Sequence, residues 1–192
     1  MRNIILASRS KARQKLLKQI GLKFRVVEAD VKESSSLKRK SCSALVIDNA
    51  VKKARASAKS LDTGVIIAAD TVVLVGRRII GKPKTMADAV RSLKILSKSP
   101  QWVYTGIAVY DVDKKKMLTD YEKTKVYMYP LNDKQIKRYF RKISPFDKAG
   151  SFDVQGPGSV FIDRIEGCFY NVVGLPLAKL GAMLKKVGVN II

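Results

Sequence analysis

The segment Val65-Ile66-Ile67-Ala68-Ala69-Asp70-Thr71 constrains the fold most. Five apolar residues with strand character stop at one carboxylate and one hydroxyl. A strand that is apolar on both faces belongs inside a sheet covered by helices. Open α/β sheets place reactive groups at the carboxyl ends of such strands, beside a ligand. The pattern predicts one strand over Val65 to Ala69 and another over Val72 to Val75, with Asp70 at the break. A lone acid after this run is either compensated by a partner or used in chemistry. Ten residues after Thr71 comes Gly81-Lys82-Pro83. A lysine in a Gly/Pro-bounded turn is a candidate phosphate contact.

The rest of the chain supplies a mixed α/β order. A strand over Asn3 to Ala7 leads through Ser8-Arg9-Ser10 into a helix with Leu16, Leu17 and Ile20 on one face, stopped by Gly21. A short strand follows at Phe24 to Val27. Ser43 is placed to cap a second helix carrying Ala44, Ile47, Val51, Ala54 and Ala58. A third helix groups Met86, Ala89, Val90, Leu93 and Leu96. Val103 to Tyr110 alternates, turns at Asp111-Val112-Asp113-Lys114, and pairs with Lys123 to Tyr129 as a hairpin. Asn132 or Asp133 opens a polar helix to Lys142. A glycine-rich block from Lys148 to Gly158 precedes a strand over Val160 to Ile165, and a last helix starts near Pro176. Helices and strands alternate early and a hairpin intervenes, so the sheet is mixed and twisted, flanked by helices. Ser34-Ser35-Ser36 with Lys38-Arg39-Lys40 reads as a mobile loop. The length of 192 residues fits one domain over 1–192.

Composition removes several chemistries. There is no histidine, which excludes Ser-His-Asp and Cys-His catalysis and His-ligated zinc. Base work falls to Asp, Glu, Lys or a metal-bound water. Cys42 and Cys168 are the two cysteines, far apart and without a metal or redox spacing. No apolar run approaches the roughly 20 residues of a membrane span. The apolar patch at the N-terminus is too short for a secretory signal, so a soluble cytoplasmic protein is expected. The net charge of +22 favours anionic partners, nucleotides or nucleic acid among them. The lysines are spread along the chain, however, so charge alone does not establish nucleic-acid binding, which is not favoured.

Four groups are candidates for chemistry. The bend at Ser8 to Arg13 opens a helix N-terminus, with Ser8 and Ser10 as hydroxyls and Arg13 as a planar fork for phosphate. Equally, Ser10 is an ordinary N-cap and the arginines are solvated. Glu33 and Asp70 are two carboxylates suited to Mg²⁺ or Mn²⁺, which take oxygen ligands and keep waters; alone, Glu33 reads as a solvated acid. Lys53 and Lys82 are point-charge phosphate contacts, or surface lysines among many. In Asp147 to Gly156 the glycines permit close backbone approach, and Gln155 has both a donor and an acceptor with which to read a base edge. A structural loop reads the same way.

Taken together, ILASRSKARQKLLKQIG, VIIAADTVV, GKP with its helix, YTGIAV and DKAGSFDVQGPGSVFIDRIEGCFYNVVGLPL resemble the Maf family of nucleoside triphosphate pyrophosphatases. These proteins are also called septum formation inhibitors. The resemblance runs almost end to end. It implies a fold related to the inosine triphosphatase architecture, a divalent cation, hydrolysis of a nucleoside triphosphate to monophosphate and pyrophosphate, and a homodimer. It implies Asp70 as general base, with Lys82 and Glu33 completing the catalytic set and Glu33 and Asp70 holding the metal. Ser8, Ser10, Arg13, Lys53 and Lys82 would grip the triphosphate, and Thr71 and Gln155 would select the base. Asp70-Thr71 and Gln155-Gly156 match the dTTP/UTP branch, whereas the branch acting on 7-methyl-GTP reads Asp-Gln after the strand. One departure stands out. The family pattern Ser-x-Ser-Pro-Arg-Arg is here Ser8-Arg9-Ser10-Lys11-Ala12-Arg13, so Ala12 replaces an arginine and Arg9 and Lys11 are the nearest cations.

Overall fold

The computed structural model of the chain describes residues 2–28, 30–34, 41–146 and 148–191. Beyond Ser34, the loop expected through Lys40 lies outside the described residues, as does Asp147. The chain is mixed α/β. Hydrogen bonds order the strands of an open sheet as β2 (Arg25–Val26), β1 (Ile4–Leu6), β3 (Val65–Val75), β5 (Gln101–Asp111), β6 (Lys116–Met128) and β7 (Ile162–Glu166), with β4 (Arg78–Ile80) on β3, and helices flank it. Among the described residues no helix is long and apolar enough to cross a membrane.

The chain forms two compact units. The first holds Met1–Asp70, Thr105–Glu122 and Gly174–Ile192. Its first strand, β1 (Ile4–Leu6), is buried and lies between two parallel neighbours, β2 (Arg25–Val26) and the long β3 (Val65–Val75). Helix α1 (Lys11–Gln19) buries Arg13, Leu16 and Leu17 and ends at Gly21, whose φ of 72° suits a residue without Cβ. Helix α2 (Cys42–Ala58) is capped by Ser41, not Ser43: Ser41 Oγ accepts from the N–H of Ala44 at 3.2 Å. Ser43 falls two residues too late, inside the first turn. The core of this unit is Ile5, Ala7, Ala50, Ala54, Ile66, Ala68 and Ala108. With so many alanines, α2 lies very close to the sheet. At Gly106 an added Cβ would sit 2.4 Å from the Val46 carbonyl carbon. A glycine inside a strand marks such a close backbone approach. Helix α6 (Leu177–Lys186) buries Leu180, Met183 and Leu184, with Pro176 as its N-cap.

The break expected at Asp70 does not exist. β3 is one continuous strand of 11 residues, with Asp70 in its interior. The acid does not interrupt the ladder because its charge is met by side chains from α2, described below. β1, by contrast, ends at Leu6, opposite Ile67 of β3.

The second unit holds Thr71–Tyr104 and Lys123–Val173. Here β3 turns at Gly76 (φ 56°) into antiparallel β4 (Arg78–Ile80). Helix α3 (Met86–Leu96) is capped by Thr85. α4 (Asp133–Phe140) opens with a capping box, Asn132 and Gln135 satisfying each other's backbone. The core joins Val73, Leu93, Leu96, Val103, Val126, Ile136, Tyr139 and Phe152. β5 (Gln101–Asp111) and β6 (Lys116–Met128) each contribute to both units; the expected turn joins them, and β6 starts earlier than its pattern suggested. β7 (Ile162–Glu166) pairs antiparallel with β6. It starts after Val160 because Pro157–Phe161 coil as a 3-10 turn, which leaves Val160 exposed. The short helix α5 (Phe169–Val173) carries no signal in the sequence.

Candidate active site

Register brings the first group together. Parallel pairing aligns Ile4 with Val65, Ile5 with Ile66 and Leu6 with Ile67, and the Ala7 N–H continues the ladder to Ile67 O at 2.8 Å. The next residue, Ser8, therefore emerges beside Ala69 and Asp70. Ser10 caps α1, its Oγ accepting from the Arg13 N–H at 3.4 Å. This turns the first helical turn so that Arg13 points inward, 9% exposed. Its guanidinium donates to Gly174 O at 2.8 Å, Ala69 O at 3.0 Å and Ser8 Oγ at 3.2 Å. Burial pushes the Arg13 guanidinium below its ordinary pKa, and the Asp70 and Glu33 charges oppose that shift. A guanidinium fixed to main-chain carbonyls is a rigid fork.

Ser8 Oγ also accepts from the Ser10 N–H at 3.2 Å. A hydroxyl has two acceptor positions and one donor. Both acceptor positions are filled, so Ser8 is set to donate its O–H.

The second group comes from α2. Asn49 and Lys53 are four residues apart and share a helix face. Both are buried, at 1% and 7% exposure, and Asp70 is 5% exposed. The Lys53 ammonium donates to Asp70 Oδ1 at 2.7 Å, to Ala69 O at 3.2 Å and to Glu33 Oε1 at 2.8 Å. All three of its protons are engaged. Asn49 Nδ2 donates to Asp70 Oδ2 at 2.9 Å. Each oxygen of the buried carboxylate thus has one donor, and a charge that would otherwise be costly to bury is compensated. Glu33 is half exposed at its side chain.

The first unit therefore brings together Ser8, Arg13, Glu33, Lys53 and Asp70, with Ser10 engaged as the helix cap. Asn49 belongs with them and was not among the sequence candidates. Its signal was an amide within the apolar stripe of α2, between buried Val46 and Ala50 and four residues before Lys53. Of the alternative cations, Arg9 is largely exposed and pairs with Glu28 at 3.7 Å, and Lys11 is exposed.

Two carboxylates of this cluster are hard oxygen ligands, the type a divalent cation takes. Glu33 Oε1 and Asp70 Oδ1 meet at the Lys53 ammonium, at 2.8 and 2.7 Å, so a cation here would share their oxygens with that lysine. Two carboxylates against Lys53 and Arg13 leave the cluster with no surplus positive charge for a polyanion. Among the described residues no set of three or more Asp, Glu, Cys or His gathers to hold a metal. Two carboxylates with water and substrate oxygens are a common way to hold Mg²⁺.

Thr71, Lys82 and Gln155 belong to the second unit. Lys82 is exposed and lines a basic pocket with Arg78, Lys84, Asp88 and Arg91. The glycine-rich block is tied to this turn, Gly150 N–H donating to Gly81 O at 3.2 Å. Gln155 is exposed on a turn closed by Asp153, whose Oδ1 accepts from the Gln155 N–H at 3.0 Å.

Residues 3–187 match the family described as Maf-like protein. The chain is 43% identical over 194 residues to a protein from Clostridium botulinum named dTTP/UTP pyrophosphatase, with both chains covered completely. A Clostridium tetani protein of the same name is 42% identical over 191 residues, covering 98% of this chain and all of that protein. One from Dictyoglomus turgidum is 41% identical over 191 residues, covering 100% of this chain and 99% of the other. Among solved structures, the nucleoside-triphosphatase / dITP/XTP pyrophosphatase of Mycobacterium abscessus is 16% identical, with a TM-score of 0.42, over 73% of this chain and 94% of that one.

Proposed function

The chain belongs to the Maf-like protein family, and we propose that the Asp70 cluster of its first unit is the hydrolytic centre. It is a nucleoside triphosphate pyrophosphatase, converting a nucleoside triphosphate to the monophosphate and pyrophosphate. The finer reading is that the substrate is dTTP or UTP and that Asp70 is the general base.

One observation carries this reading: a carboxylate 5% exposed, with a hydrogen bond on each oxygen, shares an ammonium with a second carboxylate. A base held this firmly abstracts a proton without first reorienting. In the reaction, a water oxygen attacks the α-phosphorus and Asp70 takes its proton. The bond from the α-phosphorus to the α–β bridging oxygen breaks, and pyrophosphate leaves with that oxygen. Ser8 donates a hydrogen bond from its hydroxyl to a phosphate oxygen, and Arg13 supplies fixed positive charge beside it. Lys53 holds Asp70 and Glu33 in place. No covalent intermediate is needed, which fits a chain without histidine.

Glu33 and Asp70 would hold a divalent cation, Mg²⁺ or Mn²⁺, which neutralises phosphate charge and activates water when bound. Lys82 adds positive charge for the phosphates, and Thr71 and Gln155 select the base. The names of the relatives and the pairs Asp70-Thr71 and Gln155-Gly156 support a pyrimidine substrate. A cytoplasmic homodimer belongs to the same proposal.

The test is a panel of dTTP, UTP, CTP, ATP and GTP with Mg²⁺ or Mn²⁺, following pyrophosphate release. dTTP and UTP should lead, and Asp70→Asn should lower kcat by about 10²–10⁴-fold. Wild-type turnover by Asp70→Asn would refute the base assignment. A clear preference for a purine would refute the substrate assignment alone.

A further inference from the structure

Both protons and the oxygen of the Asn49 amide are engaged. Nδ2 donates to Asp70 Oδ2 and to Ser34 O, each at 2.9 Å, and Oδ1 accepts from the Ser34 N–H at 3.0 Å. This fixes which end is nitrogen. Turned over, the amide oxygen would face a carboxylate and a carbonyl. Packing does not call for an amide here: of the buried α2 positions three and four residues away, Leu45 and Val46 are apolar and only Lys53 is polar, and Lys53 spends its protons on Asp70, Ala69 and Glu33 rather than on Asn49. An apolar side chain would fill the same stripe.

Two consequences follow. Lys53 alone is a point charge, about which a carboxylate can rotate. A second donor on the other oxygen fixes the carboxylate plane. The two bonds to Ser34 also clamp the main chain next to Glu33, whose carboxylate meets Lys53 at 2.8 Å.

Resting on the reading of Asp70 as base, we infer that Asn49 is a positioning residue of the hydrolytic centre. It orients the Asp70 carboxylate for proton uptake and pins the Glu33 segment to α2, so that both carboxylates converge on Lys53.

The experiment uses the full chain with dTTP or UTP and Mg²⁺. Near-isosteric Asn49→Leu should remain folded by circular dichroism and lower kcat roughly 10- to 100-fold, the usual loss when an outer-shell partner is removed. KM should hardly move, and the Mg²⁺ concentration for half-maximal rate should rise as Glu33 loses its clamp. Repeated in an Asp70→Asn protein, Asn49→Leu should change kcat little, because its effect passes through the missing base. A folded Asn49→Leu protein with wild-type kcat would overturn the inference. So would an equal loss of kcat in both backgrounds, the mark of a merely structural role. Full activity of Asp70→Asn alone would instead overturn the base assignment, and is read without touching Asn49. Where Asn49→Leu does not fold, Asn49→Ser carries the same cycle.

Discussion

Gly106→Ala adds one methyl group, and the structure says where it goes. The new Cβ would stand 2.4 Å from the Val46 carbonyl carbon, 2.5 Å from Val46 O and 2.6 Å from Ile47 N. Ordinary contacts between heavy atoms lie near 3.5–4.0 Å. All three atoms are backbone of α2, so no side-chain rotation relieves the clash, and the helix must retreat by about 1 Å. Overpacking of this kind costs about 1–3 kcal/mol. For a chain of this size each kcal/mol lowers Tm by roughly 2–4 °C. The sign is informative, since an alanine that fitted a strand would stabilise by about 0.5–1 kcal/mol. Activity should suffer too. Asn49 and Lys53 ride on α2, and a retreat of that size stretches their bonds to Asp70 beyond hydrogen-bonding range. A misplacement of about 1 Å can cost 10²-fold in rate. Thermal melts and pyrophosphate-release kinetics read the two effects together. A Gly106→Ala protein as stable as wild type, with unchanged kcat, would refute the close packing of α2 and the coupling drawn from it.

Gly181→Ala, inside α6, is the opposite case: among the described residues its Cβ meets only Ile191 Cδ1, at 3.7 Å. It should stabilise by about 0.5–1 kcal/mol and leave kcat alone, as a melt and an activity assay will show. Arg2 holds the buried Asp111 with two bonds, at 2.7 and 2.6 Å, and also reaches Asp113. Arg2→Ala should cost about 2–3 kcal/mol in a denaturant titration, less than a fully buried pair because Arg2 keeps 27% side-chain exposure. The Arg2 bond holds the Asp111 carboxyl below the usual carboxylate range against the opposing effect of burial; the Gly64 N–H, then Arg2, does the same for Asp113. Both carboxyls bind protons more weakly folded than unfolded. Their stabilisation is thus complete above about pH 4 and is lost as pH falls through the folded values. Arg2→Ala should flatten that acid decline in urea midpoints measured from pH 7 down to pH 2, and an unchanged decline would refute the assignment.

How much of this was legible in the sequence differs residue by residue. The apolar run ending at Asp70 was visible because burying an acid demands a reason. Arg13 followed from the bend and helix start around it. Lys53 was a candidate phosphate contact, but among 38 lysines and arginines its charge alone says nothing about its burial or its partners. Only the fold brings its ammonium against Asp70 and Glu33. Asn49 went unnoticed because an amide on an apolar stripe reads as a lapse in the pattern until its partners are known. The continuity of β3 was hidden for the same reason: an acid looks like a strand end unless its counter-charges can be seen. Those counter-charges come from α2, distant in sequence. Ser41 outranked Ser43 as a cap because capping depends on where the helix geometry starts, and that is set by packing rather than by the presence of a serine.

The claim at the centre of this account is attack by water on the α-phosphorus, driven by Asp70. Hydrolysis of dTTP or UTP in water enriched in ¹⁸O, with both products weighed by mass spectrometry, tests it most directly. The account predicts one ¹⁸O atom in the nucleoside monophosphate, unlabelled pyrophosphate, and loss of both products in Asp70→Asn. Label in the pyrophosphate, or release of nucleoside diphosphate and orthophosphate, would contradict it.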